Sequence, residues 1–398
     1  MKTPHEMDCP ICLSGETEEF LHRTGVSVHQ NLLCKSPAEA RQLARGELVM
    51  RICLHCGFVY NAAFDPSQLE YGKQYDNTQT HSETLQTYVD QVIGRLAKRT
   101  ELRRGTVVEV GCGKGGFLRR LITSAGPECR GHGFDPAYEG EENGLEGRLR
   151  FHRCFYEPKQ AELAADVVVS RHVIEHVPLP MTMLRSIRRA LSGSPNARVC
   201  FETPCVRWIL ENQVVWDFFY EHCSLFTADS LATAFTLAGF KVESVEHVFG
   251  GQYLWLEAVL DEDSPLSVKP KSREVIDLAR NFTRRETQLA DHWRSEVVRY
   301  ASEGEVVVWG GGAKGVTFAN LVDRDRSDIA AIVDVNPNKQ GHFLPGSGHP
   351  IVAPEWLVGR SIKTAILLNP NYADEIRSEL RSLGLEIELV DFMREAVA

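Results

Sequence analysis

Two C-x-x-C pairs, Cys9-Pro-Ile-Cys12 and Cys53-Leu-His-Cys56, bring four thiols into play near the start of this chain. A C-x-x-C turn delivers two thiolates from one tight loop, and two such turns fill the four tetrahedral corners that zinc prefers. No position is left for a reacting water, so the pattern predicts a structural zinc held by Cys9, Cys12, Cys53 and Cys56. The competing reading, a set of redox or unrelated cysteines, is disfavoured by the doubled motif. The chain has eleven cysteines, and the others are scattered singly, as in a reducing compartment.

A second stretch, "SRHVIEHVP" from Ser170 to Pro178, spells His-x-x-Glu-His, the pattern of a zinc hydrolase helix. Its context argues against that chemistry. The preceding "ADVVVS" is β-branched and strand-like, and Pro178 and Pro180 leave little room for the long helix such a site needs. The run is expected instead at a strand tip, with Arg171 and His172 beside a cofactor and Glu175 and His176 bracing the turn. A third stretch, "WDFFYEHCSLFT" (Trp216 to Thr227), sets Glu221 and His222 among aromatics. Histidine is the natural general base near neutral pH, and a neighbouring carboxylate can fix its tautomer. On the residues alone, a packed, hydrogen-bonded loop histidine is the somewhat favoured reading.

These groups need elements to hold them. From about residue 85 to 260, strand-like runs such as "TVVEVGCG", "ECRGHGFD", "ADVVVSRH" and "ARVCFETP" alternate with helix-like ones, which predicts a doubly wound α/β unit. In "VVEVGCGKGGF" a strand carrying Glu109 meets a turn with Gly111, Cys112, Gly113 and Gly115, then a helix. Such glycines allow positive φ and let a ligand approach the backbone at a strand's carboxyl end. The next strand ends in Asp135, placed to hold a ribose diol, so the pair predicts a nucleoside cofactor. Residues 261–272, polar with two prolines, read as a linker, and 273–303 as one long polar helix. A second glycine turn, "VVVWGGGAKG", opens the last unit. There Gly312 and Lys314 either cradle an anion or simply close a strand-helix connection. The division expected is a zinc module at 1–80, a cofactor-binding unit at 81–262, and a helix plus Rossmann-like unit at 263–398.

Bulk properties narrow the partners. The 398 residues carry a net charge of −10, which argues against a nucleic-acid substrate, and contain no apolar run near membrane-spanning length. The first residues, "MKTPHEMDCP", lack the apolar core of a secretory leader, so a cytoplasmic location is expected. Nothing in the composition sets an oligomeric state.

The loop "EVGCGKGGF" resembles the first motif of class I S-adenosylmethionine methyltransferases, and "SRHVIEH" stands where many of them carry a similar run. The resemblance implies S-adenosylmethionine as cofactor, touched by Glu109, Gly111, Cys112, Gly113, Gly115, Asp135, Arg171 and His172, with Phe155 (or Tyr156) flanking adenine. Together with the cysteine pairs, "YEHCSLF", "GGGAKG", "DVNPNKQGHFLPG" and "NPNYADEI", nearly the whole chain resembles the sugar C-methyltransferase family. That family joins a zinc module, a methyltransferase domain and a Rossmann-like domain, and methylates a carbon beside a keto group of a nucleotide-linked sugar. The resemblance implies His222 as base, Glu221 as its orienting partner and Tyr75 as donor to the enolate oxygen. Gly312 and Lys314 would face the nucleotide. The family's usual hydroxyl is missing at Phe219, and Leu225 also departs from the pattern; Tyr220 is the substitute expected if the loop is rebuilt. Those departures keep open an oxygen or nitrogen acceptor; a catalytically silent binding protein that kept both nucleotide folds is a separate alternative.

Overall fold

The computed structural model describes residues 8–69, 75–76, 81–160, 162–261 and 273–391. The expected linker, apart from Asp261, lies outside the described residues. Strands β1 (Thr17–Ser27), β2 (Arg45–Cys53) and β3 (Val59–Asn61) pair antiparallel. Along β2, Leu48, Met50 and Ile52 are fully buried while Glu47, Val49 and Arg51 are not, the period of two expected of a sheet with one covered face. At the end of β2 the two C-x-x-C turns converge. The Sγ atoms of Cys9 and Cys56, and those of Cys12 and Cys53, are 3.6 Å apart, and all four sulfurs lie within 4.8 Å of one another.

The second sheet is the predicted α/β unit. It contains β4 (Thr106–Val110), β5 (Arg130–Phe134), β6 (Asn143–Gly144), β7 (Leu149–His152), β8 (Val167–Arg171) and β9 (Arg198–Pro204). A short strand, β10 (Ser224–Leu225), leaves this unit and pairs with β3 in the first sheet. The last two members are β11 (Phe240–Val248) and β12 (Tyr253–Leu260), giving the order β11-β12-β9-β8-β4-β5-β7-β6. The five strands β7, β5, β4, β8 and β9 run parallel. Val107, Val108 and Val167 to Val169 are all 0% exposed, because helices cover both faces of a parallel sheet. Chain order reverses between β4 and β8, and a crevice opens at the carboxyl ends there.

A third sheet, β15-β14-β13-β16-β17, is wholly parallel. Its strands are β13 (Glu305–Trp309), β14 (Ile329–Val333), β15 (Ile351–Val352), β16 (Ile362–Leu367) and β17 (Glu388–Asp391). The helix Arg273–Glu303, read from sequence as polar, hides an apolar stripe that includes Val275, Ala279, Phe282, Trp293, Val297 and Tyr300. That stripe lies across two sheets. Phe282 meets Phe20 of β1 and Phe218 edge-on at 6.4 and 5.0 Å, and Thr283 donates to the Phe20 carbonyl at 2.6 Å. The same core extends to Val306 and Val308 of β13. The helix is therefore a strap joining the first and third sheets. Phe282 is 1% exposed, so Phe282→Ala should destabilise the protein by about 3–5 kcal/mol in denaturant unfolding.

Candidate active site

β4 feeds directly into the first glycine turn. Gly111, Gly113 and Gly115 have φ of 73°, 52° and 75°, the left-handed region that L side chains avoid. A Cβ on Gly111 would meet Val173 at 2.3 Å, and one on Gly115 would meet the Phe151 ring at 2.4 Å, so both are fixed by close packing. Gly113 faces open space, and its N–H donates to Asp135 Oδ2 at 2.9 Å. Asp135 Oδ1 accepts from Ala137 N–H at 2.8 Å, and each oxygen keeps a further lone pair for a diol. Behind the turn, burial pushes the Glu109 carboxyl up to about 8 against the pull of Arg171, and its Oε2 has no hydrogen-bond partner. An orphaned, buried acceptor at this turn fits the ammonium end of an amino-acid-bearing nucleoside. Cys112 is a buried thiol whose pKa burial raises. Phe155 is 66% exposed, whereas Tyr156 is packed on Phe134 at 5.0 Å. The exposed ring is the one of the pair free to cover a ligand.

The His-x-x-Glu-His run is not a helix. β8 ends at Arg171, His172 takes a left-handed φ of 52°, and a single 3-10 turn spans Ile174–His176. This disposes of the hydrolase geometry, since His172 and His176 are not on one helical face. Such strain in a non-glycine residue persists only where neighbours over-determine it. Here the neighbour is Glu202 of β9. Its carboxylate, 0% exposed, accepts from Arg171 Nε and His172 Nε2, both at 2.8 Å, and its carbonyl accepts from the His172 N–H at 2.9 Å. Burial opposes the Glu202 charge, but Arg171 and then His172 overcome it and hold the carboxyl at about 2. Burial likewise opposes the His172 charge, and Glu202 then Glu175 lift it to about 9. His172 is a cation at neutral pH. Arg171 also lies 4.6 Å over the Phe117 ring, tying the strand tip to the helix behind the glycine turn.

Glu175 and His176 do more than brace a turn. Glu175 is 0% exposed; Oε2 accepts from Thr203 Oγ1 at 3.1 Å, while Oε1 has no hydrogen bond, with His172 Nδ1 3.3 Å away. The His176 Nδ1–H donates to the Glu221 carbonyl at 3.0 Å, leaving Nε2 with its lone pair. His222 packs edge-on to His176 at 4.8 Å and against Phe219 at 4.1 Å. Burial first, then the neighbouring imidazoles of His176 and His172, hold His222 well below the ordinary imidazole range. It is a neutral base.

Three expectations are corrected here. Glu221 does not orient His222: its Oε1 accepts from Gln30 N–H at 2.8 Å and its Oε2 from Tyr75 O–H at 2.7 Å, both reaching across from the first unit. Tyr75 is accordingly not a free donor, since its single proton is held by Glu221. Tyr220 does not supply the missing hydroxyl: it is 0% exposed, its O–H is bonded to the Asp65 backbone, and its ring fills the space over Gly46. In the third unit Lys314 pairs with Asp217 rather than standing free, and Gly312 lines the cavity beside it.

Part of this set lines one cavity of about 740 Å³, walled by all three units: Tyr75 and Asn31, then His172, Glu175, His176 and His222, then the turn at Gly310–Gly315; the first glycine turn, Asp135 and Phe155 are not in its wall. Sequence reasoning missed Lys339, 5% exposed, whose Nζ donates to Asn31 Oδ1 and the Gly311 carbonyl at 3.0 and 3.1 Å. It also missed Glu202, although a lone acid within the apolar "ARVCFETP" was a visible signal.

Residues 81–245 match the family model of a methyltransferase domain, and residues 271–386 match that of a C-methyltransferase C-terminal domain. Among curated proteins, the C-methyltransferase NovU of Streptomyces niveus is 28% identical over 293 residues, 68% of this chain and 67% of that protein. Among solved structures, an S-adenosylmethionine-dependent methyltransferase from Mesorhizobium loti is 14% identical with a TM-score of 0.33, covering 42% of this chain and 96% of that one. The 1,6-didemethyltoxoflavin-N1-methyltransferase of Burkholderia thailandensis is 16% identical with a TM-score of 0.35, covering 47% and 82%. This chain is an S-adenosylmethionine-dependent methyltransferase of the class I fold, and its residues 271–386 are similar to the C-terminal domain of C-methyltransferases.

Removing Glu202 should expose what it holds. Glu202→Gln leaves Arg171 without its counter-charge and should cost about 3–5 kcal/mol in chemical unfolding. Because the folded His172 pKa is raised, its contribution is complete below about 6.5 and lost as pH rises through about 9. Wild-type stability should fall across that window, and the fall should be much smaller in Glu202→Gln.

Proposed function

We propose that this methyltransferase acts on a carbon next to a keto group of a nucleotide-linked sugar, with His222 as the base. The reading rests chiefly on one observation: the His222 imidazole, backed by Phe219 and His176, opens into the cavity shared by the three units. The matched C-methyltransferase domain and the relative named a C-methyltransferase support carbon as the acceptor.

A carbon acceptor must lose a proton before it can attack, which is feasible beside a carbonyl because charge moves to oxygen. His222 takes that proton. The resulting imidazolium is matched by Glu175, whose carboxylate belongs to the same cluster and whose Oε1 also faces His172 Nδ1 at 3.3 Å, so Glu175 takes the role first expected of Glu221. The enolate oxygen needs donors, and Tyr75 and Lys339 in the cavity wall carry them. For Tyr75, donating to the enolate exchanges one anionic acceptor, Glu221, for another. S-adenosylmethionine, when bound, supplies an electrophilic methyl group. Gly111, Gly113 and Gly115 offer it close backbone approach, Asp135 a ribose contact, and Glu109 an acceptor for its ammonium. Gly312 and Lys314 would meet the nucleotide's diphosphate, with Lys314 leaving Asp217 to do so.

Four sulfurs 3.6 Å apart in pairs fit a closed tetrahedral zinc, for which bonds of about 2.3 Å give edges near 3.8 Å. We assign it a structural role, and reduced thiols suit a cytoplasmic setting. The division into units at 1–80, 81–262 and 263–398 is supported by the three sheets, with β10 as the segment that crosses a boundary. A second reading, methyl transfer to oxygen or nitrogen, is favoured by Phe219: where a hydroxyl is expected, a ring packs on His222.

Incubation with nucleotide-linked keto sugars and methyl-labelled cofactor, followed by NMR of the product, decides between the two; a new O–CH3 or N–CH3 would overturn the carbon assignment. His222→Asn should lower kcat by about 10²–10⁴-fold with cofactor affinity unchanged. Since the base must be neutral, kcat/KM should lose activity on the acid side only well below pH 6.5. Zinc removal by chelation should lower the unfolding midpoint, and zinc alone should restore it.

A further inference from the structure

Part of the His-x-x-Glu-His run does converge, though not by the helical route its spelling suggests. One ligand atom each from Glu175, His176 and His222 lie within 4.8 Å of one another. Their surroundings are those of ligands. Glu175 Oε2 is fixed by Thr203 while Oε1, buried, has no hydrogen bond. His176 is turned by its Nδ1–H···O=C bond so that Nε2 presents a lone pair, the outer-partner arrangement found behind metal-bound histidines. His222 adds a second imidazole, edge-on to His176 with ring centroids 4.8 Å apart. All three line the wall of the 740 Å³ cavity, so further coordination positions open toward its interior. The third histidine nearby, His172, is excluded because both its ring nitrogens face carboxylates, Glu202 and Glu175.

We propose that Glu175, His176 and His222 form a binding site for a divalent first-row transition-metal ion, separate from the four cysteines, and that occupancy there inhibits the enzyme. Two imidazoles and one carboxylate suit cobalt, zinc, nickel, iron or manganese far better than magnesium or calcium, which favour all-oxygen cages. A metal at about 2.1 Å from each ligand requires ligand-ligand distances of about 3–4 Å, so modest side-chain rotations close the site. The metal occupies the lone pair that His222 needs for deprotonation, and it takes the negative charge of Glu175 that the imidazolium would use. Metal and proton transfer are mutually exclusive at these atoms. The inhibitory part rests on His222 being the base; the binding part does not.

The test uses the full chain with zinc at the cysteines, titrated with Co²⁺ and followed by visible d–d absorption and metal analysis. One further Co²⁺ per chain is expected, unaffected by excess Mg²⁺. Glu175→Gln keeps the Thr203 contact, and with His176→Asn it should weaken Co²⁺ by more than the about 10–100-fold that loss of an outer partner costs. Thermal unfolding of each variant shows that it is folded. No further Co²⁺, or Co²⁺ binding indifferent to both substitutions in folded protein, overturns the site. Turnover should fall in step with occupancy. Turnover that persists at full occupancy overturns the inhibition and removes His222 as base, while leaving the metal site standing.

Discussion

The carboxylate of Glu202, sealed between β8 and β9, is the interaction on which the site depends. It neutralises Arg171 and keeps His172 protonated, while the Glu202 backbone carbonyl accepts the N–H of His172 in its left-handed conformation. That conformation ends β8 abruptly. The chain then turns within three residues, and Glu175 and His176 enter the cavity instead of continuing along the sheet. A buried charge array of this kind is poor as a source of stability, because desolvation offsets the attraction. Its value lies in orientation: two cations and one anion allow few arrangements, so the strand tip has one shape.

Charge is also partitioned by those contacts. Two histidines near the same cavity are driven in opposite directions, His172 up to about 9 and His222 well below its ordinary range. The first has carboxylates on both ring nitrogens; the second has aromatic walls and neighbouring positive charge. At neutral pH one fold thereby keeps an imidazolium and a neutral imidazole side by side, which is how environments separate the roles of like groups. Glu175 lies between them and can answer whichever imidazole is charged.

The three sheets are interdependent around this cavity. β10 completes the first sheet from within the second unit, and the strap helix Arg273–Glu303 links β1 with β13. Gln30 and Tyr75 fix Glu221, Lys339 ties Asn31 to the Gly311 carbonyl, and Asp76 joins Lys114 of the first glycine turn to Asn338 of the last unit. A cavity held by such cross-unit bonds changes when any unit moves.

Much of the architecture was legible in the residues. Runs such as "TVVEV" and "ADVVVS" are β-branched and flanked by glycine, so strand and turn follow from local sterics, as does the convergence of two C-x-x-C loops into four neighbouring thiols. Local patterns also separated "SRHVIEHVP" from a protease helix, because proline and β-branching act within a few residues. Partnerships were not legible. Adjacency suggested Glu221 for His222, yet neighbours in a loop point apart, and the carboxylate went to Gln30 and Tyr75, while the hydroxyl of Tyr220 was drawn to Asp65. Which groups meet, and which charge each carries, is settled by burial and by contacts between residues far apart in the chain. The sequence alone determined the elements and the chemical stock at their ends; only the tertiary structure decided the pairs, since hydrogen bonds and desolvation depend on distance in space.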